Sequence, residues 1–332
     1  MNMNSLSTLS SLLSLSRQAF ATSRSINLSP LCFSRRHASS SSSNRWRERQ
    51  AADVFTREAA VRKYKSRAAF KLIQINDQHR IFRPGQSIVD LGFAPGSWSQ
   101  VAAELTKPNG RVIGVDIIPA QPPRGVSTIQ GNFLLPQIQQ YVREYLRNPD
   151  RGRCRPQSTF TDEAGYLARE RQVTIDEERY EEKHGKAEEL SQGGGEGEGT
   201  VDVVLSDMWE PLPLTGNTWK RSFSNPFHRM MNTSGNKFRD HAGSMDLCLA
   251  ALSFAYNTLK PGGHFICKFY QGSEDKSFEM RLKKLFQKVH REKPESSRSQ
   301  SKESFFVALR RKGDVPRREI FPEEVAEEEE VD

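Results

Sequence analysis

Residues 87–100 read Ser-Ile-Val-Asp-Leu-Gly-Phe-Ala-Pro-Gly-Ser-Trp-Ser-Gln. The apolar segment 88–91 predicts a short buried strand carrying one acid, Asp90, and the turn after it is expected to lead into a helix. At such a unit a ligand can approach the glycine main chain and meet the free N–H groups of the helix start. Gly92 and Gly96 are spaced G-x-x-x-G, unlike the G-x-G-x-x-G of dinucleotide sites, which favours a ligand without a pyrophosphate, such as S-adenosylmethionine. An ordinary strand–turn–helix without a ligand is the alternative.

Strand signals recur along the chain and alternate with helical patterns. The predicted strands are 88–91, 111–116, 126–130, 201–206, 264–269 and 304–309, and the predicted helices are 54–80, 99–105, 135–146, 241–259 and 277–289. This alternation predicts an α/β fold built on a parallel sheet. Ligands of such sheets bind beyond the carboxyl ends of the strands. Polar residues at those ends are therefore expected to converge: Asp116, Asn132, Asp207 and Lys268.

The charge distribution indicates a polyanionic partner. The net charge is +8, and residues 161–200 and 321–332 each carry −7, so the rest of the chain carries +22. Nucleic acid is the obvious partner of such a basic chain, although a merely soluble basic enzyme is the alternative. We expect the nucleic-acid surface to lie around Lys63, Lys65 and Arg67, where the aromatic Tyr64 stands among basic residues. A solvated basic helix face is the alternative for this segment.

Cysteine usage and hydropathy exclude several classes of protein. The four cysteines (Cys32, Cys154, Cys248 and Cys267) form no C-x-x-C pair, so the sequence predicts neither a zinc site nor a disulfide framework. No metal is expected in the functional site. No apolar run approaches the length of a membrane span.

Four segments fall outside the strand–helix rhythm. Residues 1–47 contain six Arg and many Ser but no Asp, Glu or Lys, which is typical of an organelle transit peptide, with a disordered leader as the alternative. Residues from about 150 to 200 read as a flexible acidic insertion, and about 210–232 as a second insertion. Residues 313–332 are predicted to be a disordered acidic tail. The remaining domain is expected to span 54–312.

Four motifs together resemble a known family. Lys63–Ile75, Asp90–Gln100, Ser206-Asp207-Met208 and Lys268–Gly272 are similar to the FtsJ/RrmJ-type ribose 2′-O-methyltransferases. With the transit-like leader, the chain looks most like the branch that acts on mitochondrial large-subunit rRNA, in a fungal form. The resemblance implies a Rossmann-like class I fold with S-adenosylmethionine as cofactor. Its mostly parallel seven-stranded sheet would have helices on both faces.

The resemblance also implies the site residues. The family's catalytic tetrad carries over to Lys71, Asp207, Lys268 and Glu303. Its cofactor-binding positions carry over to Asp90, Gly92, Pro95, Gly96, Trp98, Asp116, Asn132 and Asp207. The chain departs from the family at Asn132, where the family usually has Asp. An amide oxygen can still accept a hydrogen bond from the adenine amino group.

The implied reaction is methyl transfer to a ribose 2′-hydroxyl, at a uridine in the peptidyl-transferase A loop. Lys268 would act as the base, Asp207 would orient it, and Lys71 and Glu303 would hold the acceptor ribose. Asp116 would accept from the cofactor ribose. Two other functions stay open: the same chemistry on tRNA or mRNA, and a non-catalytic factor in ribosome assembly. A monomer in the mitochondrial matrix is expected.

Overall fold

The computed structural model describes Glu48 and residues 51–153, 199–210 and 233–322. All elements below lie in the compact unit formed by residues 49–332. The predicted transit peptide and most of both predicted insertions lie outside the described residues. In the part of the chain that the structure describes, no helix is long and apolar enough to cross a membrane.

Helices and strands alternate along the described chain, as the sequence predicts. The helices are α1 (Val54–Val61), α2 (Ala68–His79), α3 (Ser97–Leu105), α4 (Pro136–Arg147), α5 (Lys237–Thr258), α6 (Asp275–Leu285) and α7 (Arg317–Ile320). The strands are β1 (Ser87–Leu91), β2 (Arg111–Asp116), β3 (Val126–Gln130), β4 (Val201–Ser206), β5 (Leu259–Tyr270), β6 (Phe286–Glu292) and β7 (Glu303–Arg311).

Within the described residues, seven strands form one sheet in the order β3-β2-β1-β4-β5-β7-β6. The pairs from β3 to β5 are parallel, and β7 runs antiparallel to both of its neighbours. The strand order reverses between β1 and β4, and ligands of such sheets bind outside the carboxyl ends of the strands at this point. This topology confirms the predicted Rossmann-like, mostly parallel sheet and places its ligand site after β1 and β4.

Apolar side chains cover both faces of the sheet. Every residue of β1 and β2 is buried, as expected for parallel strands between two layers. Leu72 of α2 and Val101 of α3 belong to the core on one face. Val142 of α4, Leu252 of α5 and Leu282 of α6 belong to the core on the other. The prediction of helices on both faces is therefore confirmed.

The prediction of one helix over 277–289 is wrong for its last four residues, 286–289. Helix α6 ends at Leu285, and residues 286–292 form β6, which pairs with β7. Pairing with a strand that lies later in the chain stabilises the extended conformation. Because this partner is not local, the periodicity of residues 286–292 alone does not reveal it.

The prediction of a disordered tail is wrong for residues 313–322, which are part of the domain. They contain α7, and Ile320 and Phe321 are buried against the core. The Tyr256 hydroxyl donates to the main-chain oxygen of Val315 at 2.7 Å. The Arg317 guanidinium also donates to Oδ1 of Asn257 and to the Ser253 hydroxyl. Apolar burial and these hydrogen bonds together dock the segment, despite the acidic run after it. Residues 323–332 lie outside the described residues.

Candidate active site

Two glycines shape the turn between β1 and α3, residues 92–96, which we call the glycine cradle. Gly92 and Gly96 have φ angles of 75° and 105°, in the left-handed region that favours glycine. A Cβ atom on Gly92 would lie 2.8 Å from Cγ of Met208, and one on Gly96 would lie 2.8 Å from Cγ of Pro123. Both positions therefore need glycine for conformation and for space. Pro95 lies exposed between them, at the rim of the turn.

Asp90 lies directly below this turn and is fully buried in β1. The Ser99 hydroxyl of α3 donates to Oδ2 of Asp90 at 2.5 Å. Oδ1 has no hydrogen-bond partner among the described residues. Burial raises the pKa of Asp90 to about 7, against the Ser99 hydrogen bond and with help from the Asp207 and Asp116 charges. An unpartnered buried acceptor beside a glycine cradle fits a ligand that carries N–H donors, as S-adenosylmethionine does.

Replacing Asp90 by Asn should stabilise the protein at alkaline pH. Because the folded-state pKa of Asp90 is raised, its burial costs stability as pH rises from about 4 to about 7. We expect D90N to increase the free energy of unfolding at pH 8 by up to about 4 kcal/mol, and far less at pH 4.5. Urea unfolding at both pH values checks this. The exposed Asp246→Asn serves as the control. Equal free energies of unfolding for D90N and wild type at pH 8 would contradict a raised pKa of Asp90.

Asp116 lies at the carboxyl end of β2 and ties that end to the turn. Its Oδ2 accepts from the Ala94 N–H at 2.9 Å, and its Oδ1 accepts from the Ile118 N–H at 2.8 Å. Burial raises the pKa of Asp116, while these main-chain donors oppose the increase. Each carboxylate oxygen keeps acceptor capacity for a ribose hydroxyl. Its predicted place at the strand end, next to the cradle, is thus found in the structure.

Two predicted cofactor residues also have structural partners. The Trp98 side chain is buried, its indole N–H donates to the Ala68 main-chain oxygen at 3.0 Å, and its ring lies 5.6 Å from that of Phe305. A contact with the cofactor would therefore use the main-chain N–H of Trp98 in the first turn of α3. Oδ1 of Asn132 accepts from the Leu134 N–H at 3.0 Å and keeps a second lone pair for an adenine amino group.

The first half of the tetrad lies at the ends of β4 and β5. Lys268 is buried, and its Nζ lies 2.8 Å from Oδ1 of Asp207. The same Nζ donates to the main-chain oxygen of Asp207 at 2.8 Å. Oδ1 makes no directed hydrogen bond among the described residues, so the carboxylate–ammonium contact is an ion pair without hydrogen-bond alignment. The Asp207 N–H donates to the Leu91 oxygen at 3.2 Å, which holds this pair against the cradle strand.

The second half of the tetrad joins α2 to the start of β7. Nζ of Lys71 lies 2.6 Å from Oε1 of Glu303, and the Ser297 hydroxyl donates to the same oxygen at 3.0 Å. Burial alone would raise the pKa of Glu303. The Lys71 and Lys268 charges, with the two hydrogen bonds, outweigh burial and hold the pKa below its usual value. Glu303 is therefore ionised at neutral pH, and Lys268 lies near enough to influence it.

The structure thus brings all four predicted catalytic residues to one edge of the sheet. It also adds Ser99 and Ser297, which hydrogen-bond Asp90 and Glu303 and which sequence reasoning missed. No sequence signal distinguishes these serines from others in this serine-rich chain. A possible metal-ligand group among the described residues, His79, His290 and Glu292, lies at the end of α2 and on β6 and contains none of the tetrad.

The predicted RNA surface differs from expectation at Arg67. Lys63 and Lys65 are exposed. Arg67 is only partly exposed, forms an ion pair with Asp53 and donates to the main-chain oxygen of Ser296. Burial lowers the pKa of Arg67, as does the nearby Arg298. Its charge is thus compensated within the protein, and it anchors α2 rather than extending a basic surface.

Comparison with known proteins identifies the family. A family model described as FtsJ-like methyltransferase matches residues 64–311, which include the cradle, the tetrad and all strands of the sheet. The chain is 38% identical over 299 residues to "rRNA methyltransferase 2, mitochondrial" of Saccharomyces cerevisiae, covering 85% of this chain and 92% of that protein. It is 32% identical over 273 residues to the protein of the same name from Schizosaccharomyces pombe, covering 80% and 95%. It is also 32% identical over 294 residues to "Ribosomal RNA large subunit methyltransferase E" of Mesorhizobium japonicum, covering 88% and 82%. The chain therefore belongs to the FtsJ-like methyltransferase family, with S-adenosylmethionine as its cofactor.

Proposed function

We propose that this chain methylates a ribose 2′-hydroxyl of mitochondrial large-subunit rRNA, at a uridine of the peptidyl-transferase A loop, and thereby supports ribosome assembly. The observation that carries the proposal is the pair of lysine–carboxylate contacts, Lys268–Asp207 and Lys71–Glu303, beside the glycine cradle. Its relatives in two yeasts are named as mitochondrial rRNA methyltransferases, which supports the RNA class and the compartment. Within mitochondria we place it in the matrix, as a monomer.

The chemistry needs positioning and removal of one proton. Bound S-adenosylmethionine supplies an activated methyl group, so an in-line transfer requires mainly an aligned, deprotonated hydroxyl. In the resting site Lys268 is an ammonium paired with Asp207, and it must first release a proton to solvent. As a neutral amine, its Nζ then takes the proton of the 2′-hydroxyl. Asp207 orients that amine through the 2.8 Å contact. Lys71 and Glu303 hold the ribose from the other side.

The cofactor residues act around the cradle. We assign the adenosyl ribose hydroxyls to Asp116, the adenine amino group to Asn132 and the N–H donors of the methionine part to Asp90. Gly92, Pro95, Gly96 and the main-chain N–H of Trp98 form the surface that the cofactor contacts. Met208 packs directly against Gly92. The segment after Asp207 therefore lies between the glycine cradle and the catalytic tetrad.

The exposed bases of the α1–α2 region supply phosphate contacts. We expect Lys63→Gln to weaken rRNA binding and to lower the slope of log K against log salt by about 1, the loss of one phosphate contact. Lys283→Gln is a matched control, because Lys283 is exposed on α6, which covers the opposite face of the sheet. Filter binding over a range of salt concentrations measures both. Equal slopes for K63Q and K283Q would refute this RNA surface.

A methylation map of mitochondrial RNA tests the function. In a strain that lacks this protein, we expect one 2′-O-methyl to disappear from a uridine of the large-subunit rRNA A loop, and to return with the wild-type gene. Loss confined to tRNA or mRNA would replace rRNA by another substrate. An Asp207→Ala protein that restores ribosome assembly without the methyl group would show that RNA binding, not catalysis, is the essential role.

A further inference from the structure

His241 on α5 uses both of its ring nitrogens on the main chain that follows Lys268. It is 3% exposed. Nδ1 lies 2.7 Å from the main-chain oxygen of Tyr270, and Nε2 lies 3.1 Å from the main-chain nitrogen of Glu274. The Glu274 N–H can only donate, so Nε2 accepts and the proton of a neutral imidazole lies on Nδ1, which donates to Tyr270. Through these two hydrogen bonds, His241 joins the two ends of the turn formed by residues 270–274.

Gly272 lies at the middle of the segment that His241 holds. A Cβ atom on Gly272 would lie 2.3 Å from Cγ and 2.4 Å from Cδ2 of His241. The main chain therefore passes directly over the imidazole ring, and no other residue type fits there without moving one of them. The turn and the ring are complementary in shape as well as in hydrogen bonding.

Two further residues on the same face of α5 hold β5 in the same way. The Ser244 hydroxyl donates to the His241 main-chain oxygen at 2.7 Å and accepts from the Tyr270 N–H at 3.1 Å. The Cys248 thiol donates to the main-chain oxygen of Lys268 at 3.1 Å. Residues spaced by three and four positions share one helix face, so α5 contacts β5 main chain at successive points up to its end.

This contact also reaches the second half of the tetrad. Tyr270 pairs with Glu303 across the antiparallel β5–β7 ladder, and Lys268 pairs with Phe305. A shift of the β5 end would therefore displace Lys268 and Glu303 together. Lys71 would lose its alignment as well, because it binds Glu303 at 2.6 Å.

We propose that His241 is a positioning residue for methyl transfer: its neutral imidazole locks the Tyr270–Glu274 turn and so fixes Lys268 and Glu303 in their reactive places. The proposal rests on the proposed function, because it takes Lys268 as the base. Both ring nitrogens of His241 are engaged by the main chain, and His241 is not among the residues that we assign to the cofactor or the ribose. Its effect should thus appear in turnover and not in the affinity for either substrate.

The test compares three variants. His241→Phe keeps a ring against Gly272 but removes both nitrogens, and His241→Asn keeps an N–H donor for Tyr270. His264→Asn is the matched control, because His264 lies in the same strand, where its Nδ1 accepts from the Arg310 N–H at the opposite edge of the sheet. We measure methyl transfer to the rRNA acceptor, S-adenosylmethionine affinity by calorimetry, and amide hydrogen exchange over residues 270–276.

We expect H241F to lower kcat about 10- to 100-fold, with the RNA KM and the S-adenosylmethionine Kd within about twofold of wild type. Exchange at Glu274 should accelerate, H241N should recover part of the turnover, and H264N should keep it all. If H241F does not fold, the kcat, the substrate affinities and the Glu274 amide exchange of H241N are compared with those of wild type instead. Unchanged kcat in a variant with a deprotected Glu274 amide would overturn the proposal, and so would a loss matched by the inactive, unfolded fraction. A wild-type protein that transfers no methyl would refute the proposed function instead, and would leave the exchange result standing.

Discussion

Replacing Lys268 by Met is expected to lower methyl transfer by a factor of about 10²–10⁴ while S-adenosylmethionine still binds. Met keeps the buried stem of the side chain and removes the amine that, in the proposed mechanism, accepts the 2′-hydroxyl proton. It also leaves Asp207, its 2.8 Å partner, without the ammonium group. Single-turnover transfer from labelled S-adenosylmethionine to the rRNA acceptor measures the rate of the chemical step. Calorimetry measures the affinity for S-adenosylmethionine.

Lys260→Met is the matched control for this experiment. Lys260 lies in the same strand, and its Nζ lies 3.4 Å from a carboxylate, Asp202, but at the opposite edge of the sheet. We expect K260M to keep wild-type turnover. Because removal of Lys268 leaves a partly buried carboxylate unpaired, some loss of stability is expected as well. Urea unfolding separates that loss from the loss of chemistry. Wild-type turnover in K268M would refute Lys268 as the base.

Lys71→Met and Glu303→Gln are each expected to lower turnover about 100-fold, and the double variant should be no worse than either single variant. In the proposed mechanism both residues hold the acceptor ribose. Because a 2.6 Å contact joins Nζ of Lys71 to Oε1 of Glu303, losing either residue should disable the pair. Residues in direct contact show interaction energies of about 0.5–3 kcal/mol in a double-mutant cycle. Turnover of all four proteins at saturating substrates gives the coupling. Additive losses would show that the two residues act separately.

The stability of K71M should depend on pH, whereas that of E303Q should lack this dependence. In the wild type, the pKa of Glu303 is below its usual 4.5, so its ionised form stabilises the fold above that pH and this contribution is lost on acidification. In K71M the main opposing charge is gone and burial, which raises the pKa, gains weight. We expect K71M to be destabilised at pH 7.5 and to recover part of the loss at pH 5, when Glu303 can take up a proton. E303Q should not show this recovery, and its urea unfolding at both pH values is the control.

The carboxyl ends of the strands were predictable because their signals are local. Apolar segments that end in a polar residue mark Asp116, Asp207 and Lys268, and parallel strands bring such ends to one edge whatever lies between them. The turn was predictable from Gly92 and Gly96. Both have a left-handed main-chain conformation, which favours glycine, so the two glycines mark the turn in the sequence. Lys71 and Glu303 came from the resemblance to the family. The structure pairs these two residues with each other at the same edge of the sheet.

Other features could not be predicted because they depend on partners far away in sequence. Strand β6 is extended only because β7 pairs with it. Residues 313–322 dock through Ile320 and Phe321 onto a core built from distant elements. Arg67 looked like an RNA contact, yet Asp53 neutralises it, and a basic residue in sequence carries no sign of whether an acid will lie beside it.

His241 shows both kinds of feature in a single residue: its helix was predictable from the local sequence, and its contacts depend on distant partners. By itself, the sequence determined an α/β chain with a glycine cradle, a set of polar strand ends and a helix over 241–259, since these follow from local periodicity and turn chemistry. The tertiary structure alone decided that this helix face reaches the main chain beyond Lys268, and that Gly272 leaves room for an imidazole. The physical reason is that hydrogen bonds between a side chain and a distant main chain depend on how elements pack, and packing is a property of the whole fold.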